Sequence, residues 1–519
     1  MRELLIWVVF ACTYRCDVPI VPKIWPIPAS AVYAESKCSL SSDFRFETAV
    51  YEKPTMFETI LFEGVSRANA DIKKLMRFTS LHPLSCELQF CSVVVSESHN
   101  VWEETKDSEW YKIGFDGHNC LIECKSVRGC LHGLTTFTQL VDPLVLNHVP
   151  SRIEIEDAPK FVYRSVMIDT GRRFLPIDLI KRHIDVMHSV KMNVLHWHIV
   201  DDHSFPLEVV SLPLLSGKGA YSPKAVYTHG DVRSIVEYAA NRGIRVIPEL
   251  DVPGHTESWM KGYPELLGKA KSGIDPTRLD NWDFLEILLQ EVSILFASPW
   301  YGDRIKIHLG GDETWDGWDT PAISLWMREH GMKGKGDLVF YWLKKLLDLT
   351  RKLRLDVILW EDFLADLNGK SVDDVIWELW QNKDSVGTSI LATPFYLDHL
   401  EKDWADYYDY KMNEKFFGGE TCMWGEWVDA SNFMSRVWPR AAAVAERLWS
   451  NPDEGAFFAT SRLAKWTCRQ RHWFGFLDVG NVGQIRSEEP DELWTWHTDK
   501  EQWFCRESTF DELAVVTLM

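Results

Sequence analysis

Eight short apolar runs, alternating with amphipathic stretches, predict an α/β chain built as a (β/α)8 barrel (TIM barrel) preceded by a smaller α+β domain. The runs cover residues 165–169, 193–202, 244–251, 305–312, 356–362, 375–380, 389–393 and 419–424, and each ends in polar or aromatic residues. Residues 177–190, 231–242, 284–296 and 337–353 between them space their apolar positions as helices do. Nearly every run ends in a group able to bind or react, which is the third observation. A doubly wound open sheet would gather ligands at one switch point only, so the barrel accounts better for the pattern.

Taken in order, residues 1–18 read as a secretory leader: a short apolar stretch follows Arg2 and is too short to span a bilayer. Residues 19–160 form the smaller domain. It opens on the proline-punctuated Ile24-Trp-Pro-Ile-Pro28, carries strand-like segments at 90–95 and 110–115, and has helical spacing over 129–140. It holds no constellation of catalytic residues. Residues 161–519 form the barrel domain. The 11 Cys fit an oxidising compartment, and Cys468 with Cys505 is one candidate pair. No Asn-x-Ser/Thr sequon occurs, so a sugar-tag route to the lysosome would lack an attachment point. A net charge of −20 argues against nucleic acid as a partner.

The fourth run, within Arg304-Ile-Lys-Ile-His-Leu-Gly-Gly-Asp-Glu-Thr-Trp315, concentrates the chemistry. Its strand stops at Gly310-Gly311, where small residues let another group come close. Asp312 and Glu313 follow, with Trp315 and Trp318 beyond. Paired acids beside aromatic rings suit cleavage of a glycosidic bond, one acid protonating the leaving oxygen while the other stabilises positive charge. An Asp-Glu pair alone is an ordinary helix start. The other strand ends tip the balance: Asp169 and Arg172, Asp201, His255, Trp360, Trp380, Tyr396, Trp424 and Glu426. With 25 Trp in the chain, many must be core, yet tryptophan is also the natural flat surface against a sugar ring. His196 and His198 flank Trp197 on one side of a strand and read as structural, as does His308. The His and Asp groups lack the spacing that a set of metal ligands needs, so no metal or organic cofactor is expected.

Asp169-Thr-Gly-Arg172, His196-Trp-His-Ile-Val-Asp-Asp202, Asp251-Val-Pro-Gly-His255, His308-Leu-Gly-Gly-Asp-Glu313, Gly419-Glu-Thr-Cys-Met-Trp-Gly-Glu426 and Trp438-Pro-Arg-Ala-Ala-Ala-Val-Ala-Glu-Arg-Leu-Trp449 occur in that order. Together they resemble the β-N-acetylhexosaminidases of glycoside hydrolase family 20, of the animal lysosomal or secreted type. The resemblance implies a retaining, substrate-assisted reaction in which the 2-acetamido oxygen attacks the anomeric carbon and forms an oxazolinium ion. Glu313 would be the acid and then the base, Asp312 would orient the acetamido group, and Tyr396 would aim its oxygen. Asp201 and His255 would form a relay to Glu313. Arg172, Glu426 and Asp398 would hold the terminal sugar, with Trp360, Trp380 and Trp424 as walls and Trp438 as floor. The implied partners are glycans ending in β-linked GlcNAc or GalNAc, and the implied location is the secretory pathway, lysosomal or extracellular.

The chain departs from the family in the loop Tyr396-Leu-Asp-His-Leu-Glu-Lys-Asp-Trp404, where Asp398 would repel an anion and His399 stands in place of a cationic Arg. Neutral substrates are therefore expected. The loop is short and lacks the Tyr that reaches into a partner in the dimeric enzymes, which leaves a homodimer open. A cysteine pair bracketing the loop after the fourth strand is missing, with Gly317 near one of its positions. Two rivals stay open: a catalytically silent carbohydrate-binding barrel, and a chitooligosaccharide or N-glycan-processing hexosaminidase.

Overall fold

The computed structural model describes residues 23–477 apart from 50–54, 77–83, 85, 97–103, 142–147, 303, 368–369 and 473. The expected leader and Cys505 lie outside the described residues.

The first domain is a mixed seven-stranded sheet. Its strands are β1 (Ser30–Tyr33), β2 (Lys37–Glu47), β3 (Glu87–Val95), β4 (Tyr111–Phe115), β5 (Cys120–Cys124), β6 (His148–Pro150) and β7 (Ile153–Asp157). They are ordered β1-β7-β4-β5-β3-β2-β6. Strand β4 alternates buried and half-buried residues, so Tyr111, Ile113 and Phe115 face the core. The helices α1 (Met56–Met76) and α2 (Val127–Leu140) pack on each other and on the sheet. Ser126 starts α2 by accepting from the amides of Arg128 and Gly129, a side-chain cap for donors the first turn leaves free. Disulfides Cys38–Cys86, Cys91–Cys120 and Cys124–Cys130 staple the sheet and α2, a connectivity the sequence left open. Cys468 is disulfide-bonded as well. Bridges of this number belong to a chain folded in an oxidising compartment.

The second domain is a closed barrel of β8 (Tyr163–Asp169), β9 (Val194–His198), β10 (Arg245–Glu249), β11 (Ile305–His308), β12 (Leu355–Trp360), β13 (Val375–Leu379), β14 (Ser389–Leu391) and β15 (Gly418–Met423). Each strand runs parallel to its neighbours, and β15 pairs with β8 to close the ring. Every predicted run overlaps one of these strands. The expected helices are present as Ile177–Ser189, His229–Ala240, Asp280–Phe296 and Lys335–Lys352, and they form the outer layer. Strand alternation sorts β9 as expected: Trp197 packs outward on Tyr227 and Phe296, while His196 and His198 point inward. No helix among the described residues is long and apolar enough to cross a membrane.

The proline-punctuated entry anchors on the barrel rather than on the first sheet alone. Trp25 is fully buried, and its indole donates to the carbonyl of Ala442 at 3.0 Å. Buried ion pairs join the two domains. The Glu109 carboxylate accepts from Arg128 at 3.0 Å and from Asn193 at 3.0 Å, and it pairs with Arg164 of β8. Asp157 takes Lys191 at 2.9 Å.

Candidate active site

The site is built where the strands end. After β11 the chain turns at Gly310 and Gly311, with φ of 60° and 104°. A Cβ on Gly310 would collide with the Asp251 carboxylate, and one on Gly311 with the Phe363 ring. Only glycine fits both the left-handed backbone and the space. The Gly311 amide donates to Asp251 Oδ1 at 2.9 Å, which pins the turn from the end of β10. The two acids then diverge. Asp312 has a side chain 16% exposed, with Oδ1 buried and without a hydrogen-bond partner. Glu313, at φ 50°, carries a side chain 69% exposed.

His255, also at φ 50°, sits between the acids and Asp201. Its Nε2 lies 3.6 Å from Asp312 Oδ2 and 3.7 Å from Glu313 Oε2, and its Nδ1 lies 3.5 Å from Asp201 Oδ2. Burial alone would strip the ring of charge, but the carboxylates of Asp251, Asp201 and Asp312 outweigh it and push His255 up to about 11. Asp201 is buried too. Despite that burial, His198, His255 and Arg172 hold its carboxyl well below the usual carboxylate range.

Arg172 closes the opposite side. Its guanidinium reaches Asp169 at 2.8 Å, Asp201 at 3.2 Å and Glu426 at 3.3 Å, and lies 4.9 Å above the Trp424 ring. Three carboxylates on one fork fix its planar donors in place. Trp360, Met167, Ala392 and Cys422 form an apolar cluster separate from the main core, with Trp380, Tyr396 and Trp424 packed on it. The Tyr396 ring stands 6.4 Å from both Trp380 and Trp424. Burial pushes the Tyr396 hydroxyl well above its usual range, so it is a hydrogen-bond donor at any working pH. On the open side, a cavity of about 940 Å³ runs beside Glu313 and is lined by Asp362, Gln381, Asn382 and Lys335.

A walled aromatic pocket with two acids at its lip, carried on a barrel's strand ends, is a layout for cleaving a glycosidic bond. The comparisons with known proteins decide its family. The catalytic domain of glycosyl hydrolase family 20 matches residues 161–413 and 398–452. The chain is 37% identical to the human β-hexosaminidase subunit beta over 492 residues, covering 86% of this chain and 87% of that one. It is 35% identical to β-hexosaminidase 3 of Arabidopsis thaliana over 490 residues, covering 86% and 89%. A chitobiase structure from Flavobacterium johnsoniae superposes with a TM-score of 0.73 at 26% identity, covering 89% of this chain and 73% of that chain. The chain belongs to glycosyl hydrolase family 20. Its enzyme class is that of the β-N-acetylhexosaminidases.

Within that family frame, the structure brings together Asp312, Glu313, Asp201, His255, Arg172, Trp360, Trp380, Tyr396, Trp424 and Glu426. Asp398 sits beside them, half-buried, with Oδ1 lacking a partner. Trp438 is the exception. The expectation of a pocket floor is corrected: its indole is fully buried in the layer outside the barrel, donating to His183 Nδ1 at 3.3 Å and packing near Trp466. The reason is that Trp438 precedes the helix Arg440–Trp449, which lies beyond the last barrel strand, so it faces neighbouring helices.

Two acids that the sequence reading passed over support the walls. Glu361 is buried and accepts from the amides of Trp380 at 2.8 Å and Asn382 at 3.0 Å, and from Gln381. Asp362 accepts from the Trp380 indole at 2.7 Å, and burial pushes its carboxyl up to about 6. The signal was two consecutive acids directly after Trp360 at a strand end.

Proposed function

We propose that this chain is a retaining exo-β-N-acetylhexosaminidase that releases terminal β-linked GlcNAc or GalNAc from neutral glycans, with the substrate's acetamido group as nucleophile. The observation that carries this reading is the division between the two acids. Asp312 is largely buried, near enough to Tyr396 to help raise its hydroxyl, and has one oxygen unpartnered, while Glu313 stands exposed at the open cavity. The buried acid suits an acetamido N–H, and the exposed one suits a leaving group.

On this reading the acetamido oxygen, held by the Tyr396 hydroxyl, forms a bond to the anomeric carbon as the glycosidic C–O bond breaks. Glu313 gives its proton to the departing oxygen. The resulting oxazolinium carries a positive charge beside Asp312, a preorganised countercharge in a site shielded from water. Water then attacks the anomeric carbon, gives a proton back to Glu313, and opens the ring. Two inversions give retention. His255 and Asp201 hold the proton balance at Glu313, and Arg172 with Glu426 binds the hydroxyls at the far end of the sugar. The half-buried Asp398 carboxylate disfavours an anion there. His399, 3.4 Å from Glu401, already has its own countercharge, which supports the preference for neutral substrates. The disulfides support a place in the secretory pathway, lysosomal or extracellular.

The test is leaving-group dependence in two variants. Glu313→Gln loses about 10²–10⁴-fold on sugars with poor leaving groups and far less on activated aryl glycosides. Asp312→Asn loses activity on every 2-acetamido substrate whatever its leaving group. Equal losses of Glu313→Gln on both substrate types would overturn the acid assignment.

A further inference from the structure

The barrel interior beneath the pocket holds three buried carboxylates, Glu249, Glu378 and Glu420, and three buried imidazoles, His196, His198 and His308. With neutral rings these groups would place three uncompensated negative charges away from water, a cost no fold sustains. The geometry shows where protons lie. His196 has Nδ1 2.7 Å from Glu420 Oε1 and Nε2 3.0 Å from Glu249 Oε2. His198 has Nδ1 2.7 Å from Glu249 Oε2 and Nε2 2.9 Å from Asp201 Oδ2. His198 hydrogen-bonds to ionised oxygens through both nitrogens. His196 does so through Nδ1, while its Nε2 stands in ionic contact with Glu249 without hydrogen-bond geometry. Two carboxylates therefore face each ring, and each is an imidazolium.

His308 differs. Its Nδ1 accepts from the Gly310 amide at 3.1 Å and stands 3.2 Å from Glu249 Oε1. Its Nε2 lies 3.6 Å from Glu378 Oε2 without a hydrogen bond, and burial outweighs the nearby carboxylate to hold the ring neutral. Neither oxygen of Glu378 has a donor, and it lies against Glu420, so it satisfies itself by carrying a proton shared with that neighbour. The remaining groups at Glu420 are neutral: the Tyr163 hydroxyl at 3.3 Å and the Cys422 thiol at 3.7 Å. Two imidazoliums, two carboxylates, one acid and one neutral ring sum to zero. The titration directions agree. Against the pull of burial, Glu420 and Glu249 push His196 up to about 10, while burial and Glu420 push Glu378 well up. Burial draws His308 down.

The file does not end in the core. Glu249 Oε1 accepts from the Trp360 indole at 2.9 Å, so the same carboxylate holds a pocket wall. At the other end Asp201 meets Arg172, itself paired with Asp169, and His255, which faces Asp251 and Asp312. We propose that Glu249, His198 and His196 are positioning residues of the hydrolysis: the alternating file Glu420–His196–Glu249–His198–Asp201 fixes Asp201 as a charged acceptor for His255 and seats Trp360 from below. This rests on the assignment of Glu313 and His255 given above.

The test compares pH profiles of kcat/KM on an aryl β-N-acetylglucosaminide. Glu249→Gln keeps an acceptor for Trp360 but takes the countercharge from His198, which then releases its proton. His198→Gln removes the same positive charge directly. In both variants the positive charge in contact with Asp201 is gone, so the mouth holds its protons more tightly and the high-pH limb moves up. The shift is about half a pH unit or more in His198→Gln and less in Glu249→Gln, where the negative charge lost further from the mouth offsets it. The double variant moves no further than the larger single one. A fall in rate with the limb in place, or additive shifts, would overturn the proposal. Should these variants not fold, neutron diffraction from the wild-type protein reads the protons themselves. Deuterons on both nitrogens of His196 and of His198 are expected; a singly protonated ring, or an ion between them, overturns it. Glu313→Gln run in parallel separates the two readings. If it keeps full activity the site assignment fails, whereas if it is inactive and the limbs are unmoved only the file fails.

Discussion

Glu313 and His255 both hold φ of 50°, a left-handed backbone that side chains with a Cβ adopt at a cost of about 1–3 kcal/mol. In the proposed mechanism each is a reacting or relaying group, and the turn that strains it also aims it. Glu313→Gly is therefore expected to abolish turnover while raising the unfolding free energy by about 1 kcal/mol, read by urea denaturation. A loss of stability would show that the turn is not strained. Single residues also set a pH dependence of stability. His196 is raised from 6.5 to about 10 in the folded chain, so its contribution is complete below about pH 6.5 and is lost as pH rises through about 10. The wild-type melting temperature should fall over that window, and fall less in Glu249→Gln. This scale was only partly legible in the sequence. Glu313, Asp312 and Arg172 sit in motifs with recognisable neighbours, but nothing beside Glu249 or Glu378 in the chain shows what they meet across the barrel.

At the scale of elements, the chemistry depends on how strands stop. The turn after β11 works because Gly310 leaves room for the Asp251 carboxylate and Gly311 for Phe363. Gly311→Ala should displace the turn, lower kcat/KM by at least about tenfold, and destabilise by about 1–3 kcal/mol. Unchanged kinetics would mean that the acids do not depend on this turn. The strands themselves were easy to read, because a parallel barrel strand is buried on both faces and appears as a short unbroken apolar run. Trp438 was misread for a related reason: an aromatic residue after the last strand looks the same whether it faces the mouth or the helical layer, and only the packing of His183 and Trp466 decides. Glu361 escaped notice because its role, accepting three consecutive amides from Trp380 to Asn382, belongs to a neighbouring strand end.

At the scale of the molecule, the described residues of the first domain lie away from the candidate site, and the domain is fastened to the barrel by buried charge. Glu109 meets Arg128, His132, Asn193 and Arg164, and the Trp449 indole donates to the Asp157 carboxylate that Lys191 also reaches. The sequence showed two domains but no interface, since a contact between Glu109 and Arg164 leaves no local trace. Glu109→Gln should cost about 3–5 kcal/mol of stability by leaving Arg164 and Arg128 underpaired, with little change in substrate preference among the molecules still folded. Whole-chain melting as a single transition would accompany it. The decisive measurement is turnover by the purified protein of an aryl β-N-acetylglucosaminide beside the matching aryl β-glucoside at mildly acidic pH. Hydrolysis of the first alone is predicted. Comparable cleavage of both would mean a nucleophile from the protein, and would contradict the roles given to Asp312 and Tyr396.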